Sequence, residues 1–152
     1  MTDRKALRQQ RLLSELTDAE LAVIADKIVT ESYAKGKIIL KEGEPTKGIY
    51  LNHKGKVEIS KITPDGWKQT LAVLVEHHFL GELSVIEGRQ WHSVDATAIE
   101  DTAFFLLKKE DFKSLEEKQP AMMYKIMRAI ALVECRNVRS MNERLMKALI
   151  SY

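Results

Sequence analysis

The residues from Tyr33 to Leu107 most constrain what this chain can fold into. They form short apolar or alternating runs that are separated by glycine and other turn residues, a pattern typical of an antiparallel sandwich or barrel. The runs are Lys37–Leu40, Gly48–Asn52, Lys56–Lys61, Trp67–Leu74, Ser93–Ala98 and Ala103–Leu107. Between two of them, the tight-turn sequence Thr63-Pro64-Asp65-Gly66 predicts that Val57–Ile62 and Trp67–Leu74 pair as a hairpin.

Helical patterns lie on both sides of these runs. On the N-terminal side, Thr17 and Glu20 have the spacing of a capping box and apolar residues follow at helical spacing, which predicts a helix that ends near Thr30. On the C-terminal side we expect a short helix that ends at Glu117. Pro120 is then expected to begin a long helix, because proline is well tolerated in a first helical turn and no helix-breaking residue follows it.

This final helix is longer than one small domain can cover. At about 1.5 Å per residue it would be roughly 45 Å long. Ile126, Ile130 and Val133 can face the strands, and a second apolar stripe has a heptad-like spacing. The second stripe consists of Ala131, Val138, Met141, Leu145 and Ala148. We therefore predict a homodimer through paired C-terminal helices; the alternative is that the helix breaks near Ser140 and folds back onto its own domain.

Length and composition are those of one globular domain that can fold without disulfide bonds or structural metal ions. The chain has 152 residues, of which 45% are hydrophobic and 30% charged, and its net charge of +2 gives no argument for nucleic acid or membrane. Cys135 has no second cysteine to pair with, and no apolar run approaches the roughly 20 residues that span a bilayer. We expect a cytoplasmic protein with one domain over residues 1–152. Its parts would be an N-terminal helical segment (1–32), a β-roll (33–108) and C-terminal helices (109–152).

Residues 79–91 contain the most informative motif. Gly81 follows an aromatic strand end, and one helical turn begins directly after it. The N-terminus of a helix leaves unpaired amides with partial positive charge, and glycine lets an anion approach the backbone closely. Glu82 lies in the first turn, where it suits the helix dipole and can accept hydrogen bonds from a sugar hydroxyl. The motif predicts an anion pocket with phosphate as its natural ligand.

Residues 79–98 resemble the phosphate-binding cassette of the cyclic-nucleotide-binding domain family, which includes catabolite-activator-type regulators and kinase regulatory subunits. Gly81-Glu82-Leu83-Ser84 resembles the family's Gly-Glu-Leu-Ala/Ser, and Ala98-Ile99-Glu100-Asp101-Thr102 resembles its Ala-Leu-Glu-Asp-Thr. The resemblance extends from Leu13 to about Leu149. It implies an α+β, mainly β fold: an antiparallel β jelly-roll (double-stranded β-helix) with flanking N-terminal helices and a long C-terminal helix.

The resemblance also implies which residues contact a ligand. They are Gly81, Glu82, Leu83, Ser84, Arg89, His92, Ser93, Val94 and Asn137. Counting back from Ala98 puts His92 where the family has its phosphate-clamping arginine. Histidine has at most two donors and is mostly neutral near pH 7, so the clamp is weaker. Whether His92 or Arg89 replaces the family arginine stays open. Asn137 occupies the helix position that meets the base in bacterial family members.

By this resemblance the protein is a regulatory module that requires no cofactor. Its expected ligand is a cyclic nucleotide (cAMP or cGMP), bound weakly, or another small anion. No nucleophile with a base and no Walker loop stands out in the sequence, so we expect no enzyme. We expect no metal site either, because the adjacent His77 and His78 would point to opposite faces of a strand.

Two other functions stay open. The pocket could be degenerate and the domain a dimerisation or protein-interaction scaffold, or the chain could be an effector subunit that reaches DNA through a separate protein partner. Family regulators continue into a helix-turn-helix, and this sequence stops at Tyr152. We therefore expect no direct DNA binding.

Overall fold

Eight antiparallel strands form two four-stranded sheets in the computed structural model, which describes residues 2–151. The strands are β1 (Val29–Tyr33), β2 (Ile38–Leu40), β3 (Gly48–Lys54), β4 (Val57–Ile62), β5 (Lys68–Leu74), β6 (Phe79–Leu80), β7 (Asp95–Ala98) and β8 (Thr102–Lys108). The strand order is β1-β8-β3-β6 in the first sheet and β2-β7-β4-β5 in the second. This is the predicted antiparallel jelly-roll.

Helices precede, interrupt and follow the strands. They are α1 (Arg4–Arg8), a 3-10 turn (Arg11–Leu13), α2 (Asp18–Ala25), α3 (Glu82–Ile86), α4 (Lys109–Lys118) and α5 (Pro120–Ile150). In the part of the chain that the structure describes, no helix is long and apolar enough to cross a membrane.

The central strands β3 and β8 of the first sheet are buried on both faces, which explains why they are apolar without alternation. Tyr50 and Phe104 point to the second sheet and pack edge to face with ring centroids 5.8 Å apart. Their neighbours Ile49 and Phe105 point the other way, into a core shared with the helices, since successive strand residues face opposite sides. Each face of the sheet therefore holds one of the two hydrophobic cores.

Two local predictions are confirmed and one is wrong. The hairpin of β4 and β5 forms, with Gly66 in the left-handed region (φ 87°) of the connecting turn, and the capping box of Thr17 and Glu20 forms in full. The helix predicted to end near Thr30 ends at Ala25 instead, and β1 begins at Val29 after a short turn. The helical spacing misled because Ile28 still packs on the same core after the helix has ended.

Helix α5 runs unbroken for 31 residues, so the alternative of a break near Ser140 is wrong. Ile126 and Ile130 are buried against the first sheet and its helices, and Val133 packs on the same core, as predicted. The second half of the helix has no such cover. Its side chains are exposed throughout residues 135–150.

Candidate functional site

A cavity of about 390 Å³ lies between the second sheet, α3 and α5. Eight of the nine predicted ligand contacts line it: Gly81, Glu82, Leu83, Ser84, His92, Ser93, Val94 and Asn137. Leu40, Ile59 and residues 72–74 of the second sheet supply an apolar wall, and Val133 and Glu134 of α5 lie opposite. Residues far apart in the sequence therefore meet in one concave site, as small-molecule sites usually require.

Gly81 is the N-cap residue of α3 and sets the direction in which the chain enters the helix. Its φ of 87° lies in the left-handed region, which a side chain disfavours, and a Cβ at this position would stand 2.6 Å from the carbonyl oxygen of Gly48. Only glycine fits both conditions. Within residues 2–151, the amides of Leu83 and Ser84 in the first turn of α3 donate to no other group of the chain, so both are free for a ligand.

Glu82 is buried in the cavity and contacts a second carboxyl group. The residue is 9% exposed, Glu134 of α5 lines the same cavity, and a hydrogen bond between the two carboxyl groups is among the causes of the shifted pKa of Glu82. Burial first, and then the contact with Glu134, raises the pKa of Glu82 to about 8, while a hydrogen bond from its own backbone amide opposes the rise. Glu82 is therefore mostly protonated at neutral pH.

His92 lines the cavity and is buried, with 5% of the residue exposed. Its backbone is fixed by two hydrogen bonds: its N–H donates to Glu44 O (2.9 Å) and its carbonyl accepts from Gly43 N–H (3.0 Å). Burial lowers the pKa of the imidazole, an effect that Glu44 opposes and Lys47 reinforces. A depressed pKa leaves the ring neutral at pH 7 in the ligand-free protein.

Arg89 is the one predicted contact that the structure places elsewhere. It lies outside the cavity and its guanidinium pairs with Glu87, two residues before it. Its backbone N–H donates to Ser84 O (2.9 Å), so the residue closes the loop after α3. Trp91 is also outside, with 54% of its surface exposed, so it does not fill the cavity.

Sequence reasoning missed two polar cavity residues, His78 and Glu134. His78 precedes β6, and its pKa is lowered by burial, by Arg11 and by His77. His77 does not line the cavity and is the one described non-glycine residue with a positive φ (74°). A signal for Glu134 was present: it interrupts the apolar stripe of α5 one turn before Asn137, whose side-chain amide donates to it at 3.3 Å.

No cluster of three His, Cys, Asp or Glu side chains suited to a metal ion occurs among residues 2–151. The cavity instead combines apolar walls, two carboxyls, two imidazoles and free amides. Its described lining contains neither lysine nor arginine. Such a site can accept and donate hydrogen bonds, but offers an anion only neutral donors.

Comparison with known proteins shows which family the chain resembles. The chain is 30% identical over 99 residues to the cyclic AMP receptor protein of Thermus thermophilus, which covers 65% of this chain and 45% of the receptor. The chain thus spans less than half the length of that relative.

Solved structures agree with the fold. The crystal structure of the Thermus thermophilus catabolite activator protein matches with a TM-score of 0.76 and 26% identity, over 90% of this chain and 62% of that one. The N-terminal domain of a transcriptional regulator from Streptomyces coelicolor matches with a TM-score of 0.72 and 26% identity, over 91% and 95% of the two chains. A family model, described as the cyclic nucleotide-binding domain, matches residues 30–119. The chain belongs to the cyclic-nucleotide-binding domain family.

Proposed function

We propose that this domain is a non-enzymatic sensor that binds a cyclic nucleotide weakly, or another small anion, and signals through α5. One observation carries the proposal: eight cassette and helix residues separated by up to 56 positions converge on one cavity, which α5 helps to close. The related Thermus thermophilus protein is named for cyclic AMP, which makes that nucleotide the first ligand to test.

Weak binding follows from the charges of the cavity. A phosphate would meet the amides of Leu83 and Ser84 and the neutral ring of His92, without a guanidinium. Replacing a charged bidentate contact by neutral donors forfeits about 1.5–3 kcal/mol, or one to two decades of affinity. We expect cyclic AMP to bind with a dissociation constant well above micromolar.

Signalling would use the contacts that α5 makes with the site. Val133, Glu134 and Asn137 line the cavity, and the exposed second half of the same helix follows directly. A ligand shifts the helix only if it binds one helix placement better than another. These three residues are where such a difference in affinity would arise.

The exposed stripe of α5 supports a homodimer. Val138, Met141 and Leu145 are 56%, 65% and 58% exposed, and Ala131 and Ala148 share their stripe. Large apolar side chains at heptad-like spacing on an unbroken helix gain stability by pairing with a second helix. A cytoplasmic location is part of the same proposal, since the single Cys135 suits a reducing compartment.

The competing function is a scaffold whose cavity binds no nucleotide. The missing guanidinium favours it, as does the exposed stripe. Isothermal titration calorimetry with cyclic AMP and cyclic GMP, at protein concentrations near 100 µM, separates the two. Saturable binding of either nucleotide supports the sensor function. If neither nucleotide produces a heat of binding, the scaffold function is supported instead.

A further inference from the structure

Glu82 and Glu134 form a carboxyl pair across the gap between α3 and α5. If both groups are counted as ionised, Glu134 Oε1 is a buried acceptor with no donor in the described residues. Two ionised carboxylates in contact repel each other, whereas one proton between them makes a hydrogen bond. A proton on Glu82 therefore supplies the donor that Glu134 Oε1 lacks.

The surroundings favour this single proton. Asn137 Nδ2 donates to the other oxygen of Glu134 at 3.3 Å, so that oxygen already has a donor. The other titratable groups around the cavity are His78 before β6 and His92 before β7, and burial lowers the pKa of both. With no lysine or arginine in the described lining, no cation neutralises a second negative charge.

Building on the function proposed above, we propose that Glu134 is a ligand-selecting residue. It shares one proton with Glu82, holds α5 against α3 while the cavity is empty, and admits only ligands that bring hydrogen-bond donors to this side of the cavity. The ligand class is then a small anion that also carries hydroxyl or amino groups, and an anion without hydrogen-bond donors, such as sulfate, is excluded.

Selection between ligands follows because a ligand must replace the hydrogen bond that the shared proton makes between Glu82 and Glu134. When ligand hydroxyl or amino groups donate to both carboxylates, the shared proton leaves for solvent and the contact between α3 and α5 opens. A ligand without donors would leave two acceptors buried and unpaired, which is costly. Binding of a donor-bearing ligand therefore releases a proton, and its affinity rises as pH increases toward 8.

The pair can be tested without any ligand, through thermal unfolding of the full chain from pH 5 to pH 9. The folded protein binds a proton at Glu82 that the unfolded chain loses above its ordinary pKa of 4.5, so stability is greatest near pH 5 and falls toward pH 8. Glu134→Gln removes the like charge and supplies a donor, so the fall should become shallower. Glu143→Gln, at an exposed position of the same helix, is the control. Equal slopes in wild type and Glu134→Gln would overturn the pair, and Glu82→Gln checks the same slope independently.

Selection is tested by calorimetry in two buffers of different ionisation enthalpy. Wild type should release about one proton per cyclic AMP bound at pH 7 and should bind 2′-deoxy cyclic AMP about tenfold more weakly. Glu134→Gln should release almost no protons on binding cyclic AMP, and its affinities for cyclic AMP and 2′-deoxy cyclic AMP should differ less. Proton release that is the same in both proteins overturns the role of Glu134. If no nucleotide binds to either protein, the proposed function fails, while the unfolding profiles still decide whether the carboxyl pair exists.

Discussion

The α-carbon of Gly81 packs against the carbonyl of Gly48, and a Cβ on Gly81 would stand 2.6 Å from that oxygen. Gly81→Ala must therefore move either β3 or the start of α3, in addition to the cost of a positive φ. We expect the free energy of unfolding to fall by more than about 2 kcal/mol, as measured by urea denaturation.

Gly88 provides the matched control for this substitution. It also has a positive φ (68°), but a Cβ there meets nothing within 4 Å. Gly88→Ala should cost only about 1 kcal/mol. Equal losses in the two variants would contradict the close contact between Gly81 and Gly48.

His92→Arg should strengthen binding of cyclic AMP by about tenfold or more, since arginine brings a permanent charge and a planar fork to the phosphate. Relative to His92→Arg, the affinity of the wild type should rise as pH falls below 6.5, because burial lowers the pKa of His92 and only the protonated ring attracts the phosphate electrostatically. The proton released by the Glu82–Glu134 pair contributes equally in both proteins and cancels in this comparison. Calorimetry between pH 5.5 and 7.5 measures both effects. Arg89→Gln, outside the cavity, should change neither, and identical pH profiles in wild type and His92→Arg with no gain from arginine would exclude His92 as the clamp.

Met141→Glu should convert a dimer into a monomer, because it places a charge in the middle of the exposed stripe of α5. Sedimentation equilibrium at several protein concentrations measures the change. Arg139→Glu changes the charge even more, but this residue lies on a different face of the helix. If both variants behave like the wild type, the stripe is not the dimer interface.

Lys125→Met should destabilise the protein at pH 7 by up to about 1 kcal/mol. Lys125 Nζ lies 2.6 Å from Glu20 Oε1 and so ties α5 to α2, and this hydrogen bond is the main cause of the lowered pKa of Glu20. A lowered pKa means that the contribution is present above pH 4.5 and is lost as pH falls through the folded-state value.

Thermal unfolding at pH 7 and pH 3 checks this expectation. The difference between wild type and Lys125→Met should shrink at the lower pH. Arg128→Met is a suitable control, since Arg128 is exposed on the same helix and forms no salt bridge within residues 2–151. A loss that is independent of pH would point to packing of the lysine stem.

Local signals predicted the strands and turns well. The alternation of apolar and polar residues and the turn Thr63–Gly66 predicted the β4–β5 hairpin. The position of Gly81 after Phe79 predicted where α3 begins. The strand β1 was missed because its formation depends on pairing with β8, more than 70 residues away, and Val29 continues an apolar pattern that α2 began. Local periodicity cannot report a partner that distant.

The cavity was predictable only at positions that match the pattern of the family. Residues 81–84 and 92–94 of the cassette and Asn137 of α5 were found through their resemblance to the family, and all of them line the cavity. The contact of Glu82 with Glu134 depends on how α5 lies across the sheet, which no spacing in the sequence specifies. The exclusion of Arg89 likewise depends on its local pairing with Glu87.

Because α5 is one unbroken helix from the cavity to Ile150, a change in its direction at the cavity is transmitted along its whole length. Glu134 lies 16 residues before Ile150, which corresponds to about 24 Å of helix. A tilt of about 10° at the site would carry the far end by roughly 4 Å, enough to move one layer of side chains out of register with a neighbour. A displacement of α5 by a fraction of an ångström beside the ligand would thus become a larger displacement at the C-terminal end of the helix.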